Sequence, residues 1–385
     1  MQKQIVKQLD GYADIVKEIK IAEKKGSNFA ALKGETAACI NKLHPARVPL
    51  RVSRIITETP STGTLRLEAA NGTLPPFQAG QYITLFLSIG SIRTSRPYSI
   101  SSSPGRAGYW DITIRRVEKG LVSNYLLDEI KEGDLLESSG PLGNFHFNPI
   151  IHSKTMVCLA GGSGITPFMS MLREITDSDL DRGFYLFYGS KSMDDIIFHA
   201  EIKRLARQFP NIKYIPVIEK PAKDAACETG FITADLIRKI TGELDDKSFF
   251  ICGPQAMYDF CLPDLQKLGI PVNRIRREMF GAPLNISGYP GWPSAVKPDD
   301  FFEINVKDRG VFKARADESL LVALEKNNLT IPSLCRSGEC SMCRIKILTG
   351  QVFQAPGALV RKSDRQFGYV HACVSYPIED LTILL

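Results

Sequence analysis

Four of the nine cysteines are spaced in a way that can do chemistry. Cys335, Cys340 and Cys343 form C-x4-C-x2-C, and 29 residues separate Cys343 from Cys373. Four thiolates at this spacing can hold a [2Fe–2S] cluster, a one-electron carrier. The alternative is a structural zinc site, which usually brings two short cysteine arms, and only one such arm is present. Ser337, Gly338 and Ser341 put small residues between the ligands. The backbone can therefore wrap closely and aim N–H groups at the sulfurs, which helps to set the potential. Cys39, Cys158, Cys227, Cys252 and Cys261 are scattered. An odd cysteine count, with no apolar signal core at the start of the chain, favours metal binding over disulfides.

A one-electron centre fed by a nicotinamide needs a group between them that takes hydride and releases single electrons, and a flavin does this. Arg96, Pro97, Tyr98 and Ser99 offer a cation for phosphate, a flat ring and a hydroxyl donor. Alone, this run could sit on any edge strand. Gly120, Val122 and Ser123 lie where a glycine turn leads into a helix whose first amides could take a pyrophosphate, or where Ser123 merely caps the helix. Gly161, Gly162, Gly164, Ile165, Thr166 and Pro167 follow an apolar strand and open a helix. The glycines allow close approach of a diphosphate, and proline suits a helix start. The run departs from G-x-G-x-x-G, so the standard dinucleotide fingerprint is absent, and a tight strand-to-helix turn is the plainer alternative. Cys252, Gly253 and Pro254 end a later strand, at the edge where ligands of α/β folds bind. For Cys252 alone, a core position is the plainer reading.

The elements that must position these residues fall into distinct textures. Residues 1–46 read as a helical N-terminal extension, with Ile5, Leu9, Tyr12, Val16 and Ile19 on one face. Residues 47–151 read as short β-branched runs broken by Gly, Pro and Ser, with one good helix near Ser123–Ile130, the pattern of an antiparallel β-barrel. Residues 152–283 alternate apolar strands with helices, which implies a parallel sheet covered on both faces. Residues 284–298 hold several Pro and Gly and read as a linker. Residues 299–385 resume short strands around the cysteine cluster. The fold class is multidomain, α+β and α/β.

The chain has 385 residues, 44% hydrophobic and 23% charged, with a net charge of +6. That excludes a disordered chain and is too weak a bias to imply nucleic acid. No apolar run is long enough for a membrane span, so a soluble, cytoplasmic protein is expected.

Together the three modules resemble the ferredoxin–NADP reductase superfamily, specifically its iron–sulfur flavoprotein reductases with a C-terminal plant-type [2Fe–2S] ferredoxin domain. The resemblance covers residues 48 to 385. It implies an FAD-binding barrel, an NAD(P)-binding α/β domain and a β-grasp ferredoxin domain. By the same resemblance, Arg96, Tyr98 and Ser99 bind flavin, and Gly120 to Ser123 form its pyrophosphate segment. Gly161 to Pro167 become the nicotinamide-dinucleotide loop and Cys252-Gly253-Pro254 the nicotinamide-side motif. Glu278 and Phe280 match the family's late acidic and aromatic pair beside the flavin. Ser99, Cys252 and Glu278 are the expected catalytic positions, and Cys335, Cys340, Cys343 and Cys373 the metal ligands. FAD is expected over FMN because the glycine turn offers a second phosphate site. Ser190, Lys191, Asp194 and Asp195, after a strand of the nucleotide domain, bear on NADH against NADPH, and the acidic pair favours NADH. The implied activity is NAD(P)H-dependent reduction of a protein acceptor, an oxygenase or another redox enzyme, with delivery across an exposed edge near Arg336 to Ser341. The alternatives are reduction of NAD(P)+ from a low-potential donor, or an electron-relay subunit docked through residues 1–46. Oligomeric state is open.

Overall fold

The computed structural model of the chain describes residues 11–26, 34–35, 37–41, 45–222, 225–283 and 285–385. The chain divides into two compact units, Met1–Ala46 and Arg47–Leu385. In the first unit α1 (Tyr12–Lys24) starts at Gly11, whose φ of 80° suits glycine, and none of its residues is buried. Ile5 and Leu9 of the expected stripe lie outside the described residues. Among the described residues no helix is long and apolar enough to cross a membrane.

The second unit opens with six antiparallel strands: β1 (Val48–Thr59), β2 (Thr62–Ala69), β3 (Tyr82–Ile89), β4 (Ile92–Ser99), β5 (Tyr109–Arg115) and β6 (Leu135–Ser138). Their order is β4-β3-β6-β1-β2-β5. A bridge from Ile100 to Ile112 joins the two outer strands and closes the sheet into a barrel. Alternate residues point inward, as the period of two requires, and Leu50, Val52, Leu65, Leu67, Ile83 and Leu85 fill the interior. The single helix α2 (Leu121–Asp128) plugs it with Val122 and Leu126.

An all-parallel sheet follows: β7 (Thr155–Gly161), β8 (Gly183–Ser190), β9 (Ile212–Ile218), β10 (Glu228–Thr229), β11 (Lys247–Cys252) and β12 (Ile275–Glu278), in the order β10-β9-β8-β7-β11-β12. Met156, Cys158 and Ala160 of β7 face one core, with α3 (Ile165–Asp177) and α4 (His199–Gln208). Val157 and Leu159 face the other, with α5 (Ala234–Thr241) and α6 (Gln255–Lys267). Burial on both faces explains why these strands lack strict alternation.

The last module is a β-grasp. Strands β13 (Phe301–Val306), β14 (Gly310–Arg315), β15 (Arg344–Thr349), β17 (Tyr369–His371) and β19 (Leu381–Leu384) form a mixed sheet, ordered β14-β13-β19-β15-β17. β16 (Val352–Gln354) pairs with β18 (Ser375–Pro377). Helix α7 (Leu320–Lys326) supplies Leu320, Leu321 and Leu324 to the core, and α8 (Lys362–Gln366) precedes β17. The Pro/Gly-rich stretch before β13 is more than a tether. Ile286 is buried in this core, Trp292 packs on it, and the Trp292 and Phe353 rings meet edge-on at 5.3 Å.

Candidate functional site

The glycine loop and the Cys252 motif meet because β7 and β11 are neighbours, with Ala160 opposite Cys252. A β-carbon on Gly164 would stand 2.1 Å from the Cys252 carbonyl oxygen, and one on Gly161 would stand 2.8 Å from Pro254 Cδ. Only glycine fits between the two strand ends. Gly162 holds φ +53°, and a β-carbon there would stand 2.8 Å from the Arg115 guanidinium. The loop is tied down by Tyr188, whose hydroxyl donates to the Gly162 carbonyl at 2.9 Å, and by Thr166, whose hydroxyl donates to Ser163 O at 2.8 Å. Helix α3 begins at Ile165, so Pro167 occupies the third helical position rather than the first. It is tolerated there because amides of the first turn have no intrahelical partner. The result is a cradle of backbone at a helix N-terminus, the form that binds a diphosphate.

On the barrel, Arg96 and Tyr98 share one face of β4, while Pro97 and Ser99 share the other. Arg96 is half-buried, and among the described residues no carboxylate pairs with it. Burial, then the nearby Arg336 charge, pushes its guanidinium down to about 10. A half-buried cation without an anion fits a phosphate ligand. Burial also pushes the Tyr98 phenol up. Gly120 precedes α2 in a tight turn, its amide donating to Val117 O at 2.9 Å. Ser123 does not cap the helix: its hydroxyl accepts from Val117 N at 3.0 Å and stiffens this turn, which leaves the first amides of α2 without intrahelical partners.

The modules converge on Glu278, the last residue of β12. Its carboxyl is buried, and Oε2 has no hydrogen-bond partner among the described residues. Burial raises its pKa well above the carboxylate range, and the Glu339 and Cys335 charges raise it further. Its carbonyl accepts from the Tyr258 hydroxyl, which in turn accepts from Gly253 N at 3.2 Å. Cys252 is fully buried, and burial, then Glu278, holds its thiol neutral. The residue is therefore both a core cysteine and a neighbour of the site. Phe280 meets Tyr82 edge-on at 5.8 Å, and Tyr82 lies opposite Ser99 in the barrel.

In the cysteine loop, Ser337 N and Cys340 N donate to Cys335 Sγ at 3.4 and 3.3 Å. The thiols pair two by two, Cys335 with Cys340 and Cys343 with Cys373. Hydrogen bonding from its partner thiol lowers the pKa of Cys335 and of Cys343. Among the described residues no three His, Cys, Asp or Glu side chains converge on a single ion site. Two pairs of thiols suit two irons, each taking two thiolates. Arg336 and Ser341 hold left-handed φ values of 56° and 58°, a strain that only an over-determined loop keeps. His371 donates from Nδ1 to Gly338 O at 2.8 Å, and so braces the loop from beneath. Arg336 to Gly338 are buried, contrary to the exposed edge expected there, whereas Glu339 and Met342 reach the surface.

Tyr82, Arg115, Tyr188 and Tyr258 belong to no sequence motif. Each acts through a contact with a residue distant in the chain.

A barrel, a nucleotide-type parallel sheet and a cysteine-bearing β-grasp that meet at one carboxyl group define a flavin-linked electron-transfer oxidoreductase. Family models match each module: the oxidoreductase FAD-binding domain over residues 48–147, the oxidoreductase NAD-binding domain over 158–262, and the 2Fe-2S iron-sulfur cluster binding domain over 304–377. The chain is a ferredoxin–NADP reductase-like flavoprotein with a C-terminal [2Fe–2S] domain. Electrons pass in it from NAD(P)H through FAD to the cluster and on to a protein acceptor. It is 27% identical over 347 residues to the glycine betaine monooxygenase reductase subunit of Chromohalobacter salexigens, covering 87% of this chain and 94% of that one. It is 28% identical over 337 residues to the NADH oxidoreductase HCR of Escherichia coli, covering 87% and 96%. The solved structure of phthalate dioxygenase reductase shares the fold, with a TM-score of 0.66, 23% identity and coverage of 88% of this chain and 98% of that one.

Proposed function

We propose that the chain is the NADH-dependent reductase component of an oxygenase system, and that the residues at the Glu278 junction carry its chemistry. Support for an oxygenase as acceptor comes from the likeness to a monooxygenase reductase subunit over most of the chain. Asp194 remains exposed beyond β8, and a carboxylate there disfavours a 2′-phosphate.

In this reading the Gly161–Pro167 loop and Gly253-Pro254 hold the dinucleotide. Arg96 and the Gly120–Ser123 turn hold the flavin phosphates, and Tyr98 flanks the ring system. When bound, FAD supplies the exchange between two-electron hydride and single electrons. Ser99, buried at the end of β4, follows Tyr98 at the edge of this site. Burial raises the pKa of the Glu278 carboxyl, which donates a hydrogen bond when protonated, and Phe280 packs edge-on against Tyr82 nearby. Cys335, Cys340, Cys343 and Cys373 hold the cluster. The observation that carries the reading is the position of Glu278, within electrostatic reach of Cys252 in the nucleotide sheet, Tyr82 in the barrel and Cys335 in the cluster loop.

The test is an anaerobic titration of the purified protein with NADH, then with NADPH, followed by visible absorption and EPR. Flavin bleaching and a rhombic reduced-cluster signal with NADH at the lower concentration are expected. A fresh anaerobic preparation without flavin or iron would overturn the assignment, and a preference for NADPH would overturn the donor.

A further inference from the structure

The barrel and the β-grasp module meet across β4, and this interface is built from charge. Ser95 Oγ lies 2.8 Å from Ser333 Oγ, and Thr84 Oγ1 donates to Leu334 O at 3.3 Å. Between these contacts Thr94 Oγ1 donates to Glu325 Oε2 at 3.1 Å. Glu325 also accepts both guanidinium nitrogens of Arg336, at 2.6 and 2.9 Å. Glu325 and Arg336 are 5% and 7% exposed, so this is a buried pair. The Thr94 hydroxyl, in turn, accepts from Arg96 Nη1 at 2.6 Å. The chain of contacts therefore runs from Arg96 through Thr94 and Glu325 to Arg336, the residue after Cys335.

The charges along this chain do not balance. Two guanidiniums, half-buried Arg96 and buried Arg336, face one carboxylate. A buried excess charge is costly unless an anion meets it or the group regains water. In the proposed function the anion is a flavin phosphate at Arg96. Without it, relief is available by opening the interface at β4, because Arg96 and Arg336 belong to different modules.

We propose that Glu325 is a positioning residue that couples flavin occupancy to docking of the cluster module. A filled flavin site closes the interface and holds the Cys335 loop toward Glu278, and an empty one loosens it. The inference rests on the proposed flavin site at Arg96, but it concerns the interface and can fail on its own.

The experiment uses the full chain with its cluster, with and without added FAD, as wild type and as Glu325→Gln. Amide hydrogen exchange is followed over residues 320–334, which carry no proposed flavin contact. In wild type FAD slows exchange there about tenfold, and in Glu325→Gln that protection is lost, as expected when one partner of a buried pair is removed. In stopped-flow with NADH, flavin reduction in the variant stays within about twofold of wild type, while appearance of the reduced cluster slows about tenfold or more. Thr94→Val keeps every charge and loses only the bridging hydroxyl. It gives a partial loss of both effects, and it decides the matter if Glu325→Gln does not fold. Full FAD protection together with a wild-type rate of cluster reduction in the variants would overturn the coupling. If wild type itself fails to reduce its cluster with NADH, the functional reading falls, and the exchange measurement still judges the interface.

Discussion

The carbonyl oxygen of Cys252 lies 2.1 Å from the point a β-carbon on Gly164 would occupy. Eighty-seven residues of chain separate the two, yet this contact fixes how the glycine loop sits against the end of the neighbouring strand. The obstruction is backbone on both sides, so no side chain can swing away to relieve it. Gly164→Ala is therefore expected to displace the loop, at an overpacking cost of about 1–3 kcal/mol. NADH-driven flavin reduction should fall roughly tenfold to a hundredfold. Bound FAD and cluster absorbance should be unchanged, because neither site touches this contact. Stopped-flow absorbance and the visible spectrum read the two results separately.

Arg96 is a half-buried cation of the barrel that pairs with no carboxylate among the described residues. Arg96→Ala should weaken FAD retention by about 1.5–3 kcal/mol, the worth of a hydrogen bond to a charged group, or roughly tenfold to a hundredfold in Kd. Thermal stability without FAD should hold or rise, because the variant removes a buried excess charge from the empty site. Dialysis with flavin fluorescence gives the affinity, and a melt of the FAD-free protein gives the second sign. A loss of stability in the FAD-free variant would show that Arg96 serves the barrel rather than a phosphate.

Much of this was legible in the sequence, for a physical reason. Ligand spacing in the cysteine loop and glycines at a strand-to-helix turn are local requirements, so they survive in a reading of adjacent residues. Two of the architectures followed from periodicity, alternation in the barrel strands and unbroken apolar runs in the sheet between helices, whereas the β-grasp was implied only by the family resemblance. What escaped was long-range. Arg336 looked like an exposed edge because charged residues usually are; its partner, Glu325, lies on α7, and Thr94 lies more than two hundred residues earlier. Pro and Gly between the modules read as a tether, and proline density does not reveal that Ile286 and Trp292 are core residues. Tyr258 and Tyr188 resemble any helix or strand tyrosine until the carbonyls they contact are placed.

His152 provides a pH test. Its ring lies between two N–H groups, Asn148 N at 2.9 Å from Nδ1 and Arg276 Nε at 3.0 Å from Nε2, of which the neutral ring accepts from one, and it meets Phe250 edge-on at 5.0 Å. A protonated ring would turn donors toward donors. Burial, then Arg276 and His146, pushes its pKa down to about 4 from the usual 6.5. Because the folded pKa is the lower one, the unfolded chain binds more protons between those values, so stability rises with pH across that window. The contribution is fully present above pH 6.5 and is lost as pH falls toward 4. Melting temperature against pH should therefore be shallower in His152→Asn than in wild type over this range. Equal slopes would assign the acid sensitivity to other groups.

Asp194 and Asp195 are neighbours with different expected effects. Asp195 is committed to Arg115 at 2.5 Å, a bridge from the end of β5 to the turn after β8, and that guanidinium stands over Gly162. Asp194 is exposed and makes no ion pair among the described residues. A carboxylate that reads the ribose must be free to meet it, so discrimination against a 2′-phosphate is expected of Asp194, and orientation of Arg115 of Asp195. Asp194→Ala should raise kcat/KM for NADPH about threefold to fivefold and leave NADH little changed, the scale of one exposed charge interaction. Asp195→Ala should instead raise KM for both nucleotides by a similar factor of about five, because Arg115 loses its anchor over the loop they share. The ratio of the two kcat/KM values separates these outcomes. It should move in the first variant and stay fixed in the second, and a ratio that moves in Asp195→Ala alone would reverse the assignment.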